Sequence, residues 1–445
     1  MAIQEALYPK LMKNPRFVAV EIIRQVLNGS SLSDALPHYT EKLSDQDRRF
    51  VQHLLYGSLR QYDALEDRVA QMLSKPIKPS EIEVKLVLIL AAYELLEMAT
   101  AEYAILNNWV NLIKEMDKLW ASGLTNAVLR NIQRGQLPPA KSLAGKCNLP
   151  AWLAKRLETQ WGKESLEKIG IFYQLHPEMI LRVNRQKTDR ASYLTLLAAA
   201  GISAEAHQWV ESAIVLEQAV NVEKLPKFEE GFVSVQDASA QLAAILLAPE
   251  AGMQVLDACA APGGKSTAIL EYAPEIAKLV ALDSSEERLS RVFENIARIC
   301  GEVPASVEVV ATPAETYEAP VLFDRILLDV PCSATGIMHR HPDIKRLRQA
   351  QDIEKLRGIQ YAILEHAWTL LAPGGRLLYA TCSILKDENE QQIRRFLKAE
   401  PGAMELKLSL PFGESRDVGH QILPLYFDMD QSVDGFYYAL LEKKV

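Results

Sequence analysis

Apolar positions recur at helical spacing through the first third of the chain and in short strand-length runs through its second half. Phe17, Val20, Ile23 and Leu27 fall three or four residues apart, the stripe of an amphipathic helix. Pro15 suits its first turn, and Asn28-Gly29 ends it. Ser80-Glu81-Ile82-Glu83 has the order of a capping box and predicts the start of a long apolar helix over 81–97. Its most apolar run, Leu86–Leu96, is too short to span a bilayer and reads as a buried helix. Leu124–Ile132 continues the pattern. Residues 15–135 therefore read as almost entirely helical, and Gly135 with Pro138-Pro139 opens a linker over 135–148.

Residues 150–232 mix helical stretches (151–173, 189–200) with strand-like runs such as Met179–Val183, which predicts a small α+β domain. From about 235 apolar strands alternate with helices. The strands are Gln254–Ala258, Leu279–Asp283, Val307–Val310, Arg325–Asp329 and Arg376–Ala380, and the helices 265–272, 285–300 and 352–371. That alternation predicts a doubly wound α/β, Rossmann-like parallel sheet, whose ligands bind at the C-terminal strand ends. The expectation is a multidomain chain: an all-α bundle (1–140), a small α+β linker domain (150–232) and an α/β domain (235–445).

Composition narrows the setting. Of 445 residues, 49% are hydrophobic and 24% charged, as in soluble globular proteins. The N-terminus has no apolar signal-like region. Five cysteines at irregular spacing, without a CxxC pair, suit free thiols, no metal and a cytoplasmic location. The net charge is −8 but unevenly spread: residues 1–150 hold 18 Lys and Arg against 16 Asp and Glu, residues 236–445 hold 21 against 30. Contact with a polyanion needs only a local positive face. Two clusters qualify, Arg182, Arg185, Lys187 and Arg190, then Arg340, Lys345, Arg346 and Arg348; Arg182, Arg185 and Arg340 are the candidate phosphate contacts. The plain alternative for either cluster is a solvated face.

The candidate chemistry sits at the strand ends. Asp257-Ala258-Cys259-Ala260-Ala261-Pro262-Gly263-Gly264-Lys265-Ser266 follows a strand and opens a helix, and its run of small residues lets a ligand approach the backbone. It is neither a P-loop, which needs Gly where Cys259 stands, nor a G-x-G-x-x-G dinucleotide turn; a nicotinamide dehydrogenase is thereby disfavoured. Asp283 ends the next strand, where a carboxylate can accept from two ribose hydroxyls; a helix cap is the alternative, but Ser284 and Ser285 can also cap. Asp329-Val330-Pro331-Cys332-Ser333 and Thr381-Cys382-Ser383 follow two further strands. One free cysteine is usually a small buried hydrophobe. Two of them, each directly beyond a core strand on the ligand side, suggest thiol chemistry.

These motifs, with Val235-Gln236-Asp237-Ala238-Ser239-Ala240-Gln241 and Asp434-Gly435-Phe436-Tyr437-Tyr438, make residues 235–445 resemble RNA 5-methylcytosine methyltransferases of the Nop2/Sun type. The resemblance implies that Cys382 is the nucleophile, adding to carbon 6 of cytosine, and that Cys332 assists product release. It implies that S-adenosylmethionine is held by Cys259, Ala260, Ala261, Pro262, Gly263, Gly264, Lys265 and Asp283, with Asp329 between cofactor and base. The family usually has an acid near the adenine; here the segment reads Val309-Val310-Ala311-Thr312-Pro313, and Thr312 or a backbone group takes that place. DNA cytosine methyltransferases use the P-C cysteine as nucleophile and lack the second motif. Residues 15–135, with Leu124-Thr125-Asn126-Ala127-Val128-Leu129-Arg130, resemble NusB-type RNA-binding domains, and Leu181-Arg182-Val183-Asn184-Arg185-Gln186-Lys187-Thr188 resembles the segment joining the two in the bacterial ribosomal-RNA branch. The substrate implied is 16S ribosomal RNA before packing into the ribosome, methylated by a monomer without DNA or membrane partners. The same chemistry on transfer RNA, and a non-catalytic NusB-like binding factor, are the rivals. Which group takes the carbon 5 proton, Cys332 or a water, is open at this stage.

Overall fold

The computed structural model describes residues 8–427 and 431–445. They form two compact units, one of residues up to His176 together with Met338–Ala350, the other of Pro177–Ile337 and Gln351–Val445.

The first unit is helical: α1 (Pro15–Leu27), α2 (Leu32–Thr40), α3 (Asp45–Arg60), α4 (Tyr62–Ala70), α5 (Ile82–Glu97), α6 (Glu102–Glu115), α7 (Leu119–Gln133), α8 (Leu143–Cys147) and α9 (Ala151–Phe172). Asn14 caps α1, its side chain accepting from the Arg16 amide, and Pro15 occupies the first turn as expected. α5 is the buried apolar helix, with Val84 and Leu86 to Ala92 in the core. The expected capping box does not form. Pro79–Glu81 make a 3-10 turn, Glu81 takes the cap position without a side-chain bond, and its carboxylate instead accepts from Lys118 at 2.7 Å. α9, which the sequence placed at the head of the middle domain, packs on α8 within this unit.

Residues 338–350 return to the same unit. Lys345, 2% exposed, donates to the carbonyls of Arg60 (2.7 Å) and Asn148 (2.9 Å). Arg346 donates to both oxygens of Asp63 at 2.6 Å, and Asp343 accepts from the Leu32 amide at 2.9 Å. Half of the second basic cluster is thus spent inside the fold. Among the described residues no helix is long and apolar enough to cross a membrane.

The second unit opens with a small antiparallel sheet, ordered β2-β3-β1-β4, of β1 (Met179–Val183), β2 (Ala204–Ala206), β3 (Ala213–Leu216) and β4 (Val233–Val235). With α10 (Arg190–Ala199) it encloses its own core of Leu181, Val183, Tyr193, Leu197, Ile214 and Leu216, the expected α+β fold.

The large sheet follows, of β5 (Gln254–Asp257), β6 (Lys278–Asp283), β7 (Val307–Ala311), β8 (Phe323–Asp329), β9 (Leu371–Thr381), β10 (Ala403–Leu406), β11 (Glu414–Ser415), β12 (His420–Ile422) and β15 (Phe436–Lys443); β13 (Leu425–Phe427) and β14 (Gln431–Val433) pair separately. Strands β7-β6-β5-β8-β9 run parallel, and β15 continues the sheet antiparallel to β9. Alternate residues of each strand face opposite sides. Val255, Leu279, Leu327 and Leu378 join the core beneath α11 (Ala238–Leu247), α12 (Gly264–Tyr272) and α13 (Glu286–Cys300). Leu256, Val280, Ile326, Leu328, Leu377 and Tyr379 join the core beneath α14 (Asp352–Leu370) and α15 (Glu390–Ala399). Burial on both faces explains why these strands read as continuous apolar runs. The chain reverses direction across the sheet between β5 and β8, which makes their C-terminal ends the switch-point crevice.

Candidate active site

Asp283, Asp257, Asp329 and Thr381 end four neighbouring strands, β6, β5, β8 and β9. The sheet's register therefore brings together groups far apart in sequence.

From Asp257 the chain turns into α12. Gly263 has φ 98°, and a Cβ there would lie 3.1 Å from the Cα of Val292, so both conformation and packing require glycine. Its amide donates to Ala260, whose own amide donates to Leu282, both at 2.7 Å. A Cβ on Gly264 would meet only Gln236, at 3.6 Å, so protein packing does not demand glycine at that position. Asp257 is fully buried. One oxygen accepts from Ser266 at 2.6 Å and the other has no hydrogen-bond partner among the described residues. Burial, only partly offset by Ser266, pushes its carboxyl up to about 6.

Arg182 holds this turn from below. It is 3% exposed, pairs through two bonds of 2.8 and 2.9 Å with Glu271, and donates to the Gly264 carbonyl (2.6 Å), Thr267 and Gln236. This corrects its expected role: a guanidinium with every arm engaged inside the fold is not a phosphate contact. Its neighbour Arg185 is exposed, with only a 3.6 Å approach to Glu211.

Lys265 pairs with Asp329. Burial opposes the Lys265 ammonium, but Asp329 outweighs it, with smaller help from Cys382 and Asp257, and the net shift is upward. These groups thus form one electrostatic cluster. Asp283 is buried; one of its oxygens accepts from the Ser285 amide (2.9 Å) and from Arg288 (2.5 Å). The cap of α13 is Ser285 itself. Thr312 lies just beyond β7, its amide donating to the Asp283 carbonyl at 3.1 Å, so the residue standing where an acid was expected is beside Asp283.

Cys332 and Cys382 meet, Sγ to Sγ at 3.4 Å. Cys332 is buried and Cys382 half-buried. The hydrogen bond to Cys382, with burial, raises the Cys332 thiol well above its ordinary range; burial does the same to Cys259. Backbone contacts lock the two loops. The Gly336 amide donates to the Cys382 carbonyl (2.8 Å) and the Gly435 amide to the Gly336 carbonyl (3.0 Å). A Cβ on Gly336 would lie 2.1 Å from the Gly435 oxygen, and one on Gly435 2.5 Å from Ile384. The distant Asp434-Gly435 motif is there to let three chain segments touch.

Sequence reasoning missed Glu388, which is fully buried. It accepts from the Ser333 amide (2.8 Å) and hydroxyl (2.5 Å), from the Ser383 hydroxyl (2.6 Å) and from Gln360 (3.0 Å). The string Lys386-Asp387-Glu388-Asn389-Glu390 reads as a solvated charge run; the only signal was its closeness to Thr381-Cys382-Ser383. Among the described residues no cluster of His, Cys, Asp and Glu is placed to hold a metal ion.

Comparison with known proteins agrees with this architecture. Residues 244–442 match the model of the 16S rRNA methyltransferase RsmB/F family, 13–134 the NusB family and 149–223 the RsmF/B-like ferredoxin-like domain. Ribosomal RNA small subunit methyltransferase B of Pseudomonas putida is 42% identical, over 97% of this chain and 98% of its own length. The crystal structure of PH0851 superposes with a TM-score of 0.78 at 24% identity, over 96% of this chain and 99% of its own. That of NSun6 from Pyrococcus horikoshii with SFG gives 0.58 at 20% identity, over 66% and 98%. The chain belongs to the RsmB/F family of 16S rRNA methyltransferases, enzymes dependent on S-adenosylmethionine.

Proposed function

We propose that this protein methylates carbon 5 of a cytosine in 16S ribosomal RNA through a covalent bond between Cys382 and carbon 6. The observation that carries the reading is the thiol pair, 3.4 Å apart at the ends of β8 and β9 in the cluster of Asp329 and Lys265. Carbon 5 of cytosine is a weak nucleophile, and a thiolate adding to carbon 6 makes it electron-rich. Bound S-adenosylmethionine supplies the methyl group as the electrophile. The 259–265 turn suits it: Gly264 is small without a packing reason, and the unpartnered oxygen of Asp257 awaits a donor. Asp283 takes the ribose, Thr312 lies on the adenine side, and Asp329 serves the N3 edge of the base.

Cys382 is the attacking sulfur because it is the more accessible thiol, its own proton leaving to solvent as the bond to carbon 6 forms, whereas Cys332 holds its proton. The proton on carbon 5 passes to a water. As the carbon–sulfur bond breaks and the ring double bond re-forms, the Cys332 proton passes to the Cys382 sulfur, and the proton lost from carbon 5 restores Cys332. The target base must leave its stack, so RNA not yet packed into the ribosome is the better substrate. Residues 1–140 bind RNA, 150–232 link, 235–445 catalyse, and the protein acts as a monomer.

Transfer from labelled S-adenosylmethionine to unmodified 16S RNA is the test. Wild type should yield 5-methylcytosine, Cys382→Ala none, and Cys332→Ala a protein–RNA adduct. Full activity in Cys382→Ala overturns the nucleophile; labelling of transfer RNA alone overturns the substrate.

A further inference from the structure

We infer that Glu388 is a positioning residue that holds the two thiols in register, and that it does so through hydrogen-bond geometry, with its charge secondary. The inference rests on the reading of Cys332 and Cys382 as the catalytic pair.

Each cysteine is followed directly by a serine, and both serines bond to this one carboxylate. Ser333 gives Glu388 its amide and its hydroxyl; Ser383 gives its hydroxyl to the same oxygen, Oε2. The two hydroxyls also approach each other at 3.1 Å. The other oxygen, Oε1, accepts from Gln360, which donates as well to the Pro331 carbonyl on the far side of Cys332 at 3.0 Å. Cys332 is therefore flanked by two residues, Pro331 and Ser333, tied to one anchor. On the other loop, Asn389 bonds to Thr381 (2.6 Å) and to the Ser383 carbonyl (2.8 Å), flanking Cys382 in the same way. Glu388 and Asn389 are consecutive, so one dipeptide grips both cysteine loops. Glu388 touches neither sulfur in these contacts; it acts through the serines.

A buried carboxylate taking four bonds orients whatever gives them. Displacements of about 1 Å at a reacting group can cost roughly a hundredfold in rate. Glutamine at 388 retains an acceptor for the Ser333 amide and Gln360 and offers its NH2 to the two hydroxyls, whose protons can rotate. Alanine abandons all four donors.

The test uses the full chain and a reagent that reports thiol spacing without methyl transfer. Dibromobimane fluoresces strongly only once it bridges two nearby thiols. Wild type should bridge and Cys332→Ala should not. Glu388→Gln should bridge at close to the wild-type rate and keep kcat within about tenfold. Glu388→Ala should bridge at least tenfold more slowly and lose about a hundredfold in kcat, with S-adenosylmethionine affinity unchanged. If Glu388→Ala does not fold, the Ser333→Ala/Ser383→Ala double variant, which removes the two hydroxyl donors alone, should show the same fall in bridging. Folded Glu388→Ala with wild-type bridging and kcat overturns the inference, and so does Glu388→Gln as damaged as Glu388→Ala, which would make charge the operative property. Should Cys382 not be the nucleophile, Cys382→Ala stays active while bridging in the wild type still depends on Glu388, so the two failures are distinguishable.

Discussion

Asp257 is costly as an ionised group: fully buried, with one oxygen on Ser266 and the other unpartnered. Its carboxyl titrates at about 6, against an ordinary 3.8. A raised carboxyl favours the folded state when protonated. That stability is fully present below about pH 4 and is lost as pH rises through about 6. At about 1.4 kcal/mol per pH unit, the ionised form costs the fold on the order of 3 kcal/mol above pH 6. Asp257→Asn should therefore melt higher than wild type at pH 8, with the advantage shrinking as the buffer is brought to pH 5, and should bind S-adenosylmethionine more weakly at pH 8. Equal melting curves at pH 8 would show that the carboxylate is not strained. Arg182 teaches the opposite lesson about burial. In sequence it stands among Arg185, Lys187 and Arg190 and looks like part of a basic face, but strand alternation turns it inward to Glu271. Charge clustering alone does not separate an inward arginine from an outward one, because both satisfy the same count.

At the scale of elements, the five parallel strands were legible because burial on both faces makes them continuous apolar runs between helical stretches. The strands β10 and β12 were not: they are four and three residues long, too short for alternation to register. The turns were partly legible. Small residues from Cys259 to Gly264 signalled close approach, whereas Gly336 and Gly435 owe their identity to contacts across about 100 residues of chain, which no local pattern carries. Gly435→Ala forces a methyl against Ile384 and the Gly336 Cα, at 2.5 and 2.7 Å. Overpacking of this kind costs about 1–3 kcal/mol. A lower urea midpoint at unchanged slope is expected, with slower dibromobimane bridging because the Gly336–Cys382 contact shifts. A wild-type midpoint would mean that the three segments yield freely.

At the scale of the whole molecule, the two compact units are not two consecutive stretches of sequence, because Met338–Ala350 belongs with the helices while its flanks belong to the sheet. The pattern of apolar positions places that segment in the α/β half and gives no sign of the return, since Asp343, Lys345 and Arg346 look like surface residues. Each is spent on a buried partner. Arg346→Ala would strand Asp63, 6% exposed, and breaking a buried pair from one side costs about 3–5 kcal/mol. Denaturation of the full chain should show that loss, and Asp63→Ala/Arg346→Ala should cost less than the sum of the two single changes. Strict additivity would mean that the pair contributes nothing.

The return of 338–350 also sets a timetable for synthesis. The helical unit reaches His176 about 160 residues before its last piece is made. At roughly 5–20 residues per second, the carbonyls of Arg60 and Asn148 wait on the order of ten to sixty seconds for the Lys345 side chain. Through that interval the nascent chain carries a nearly finished helical fold with an open seam, which closes only once residues 338–350 have been made and have emerged.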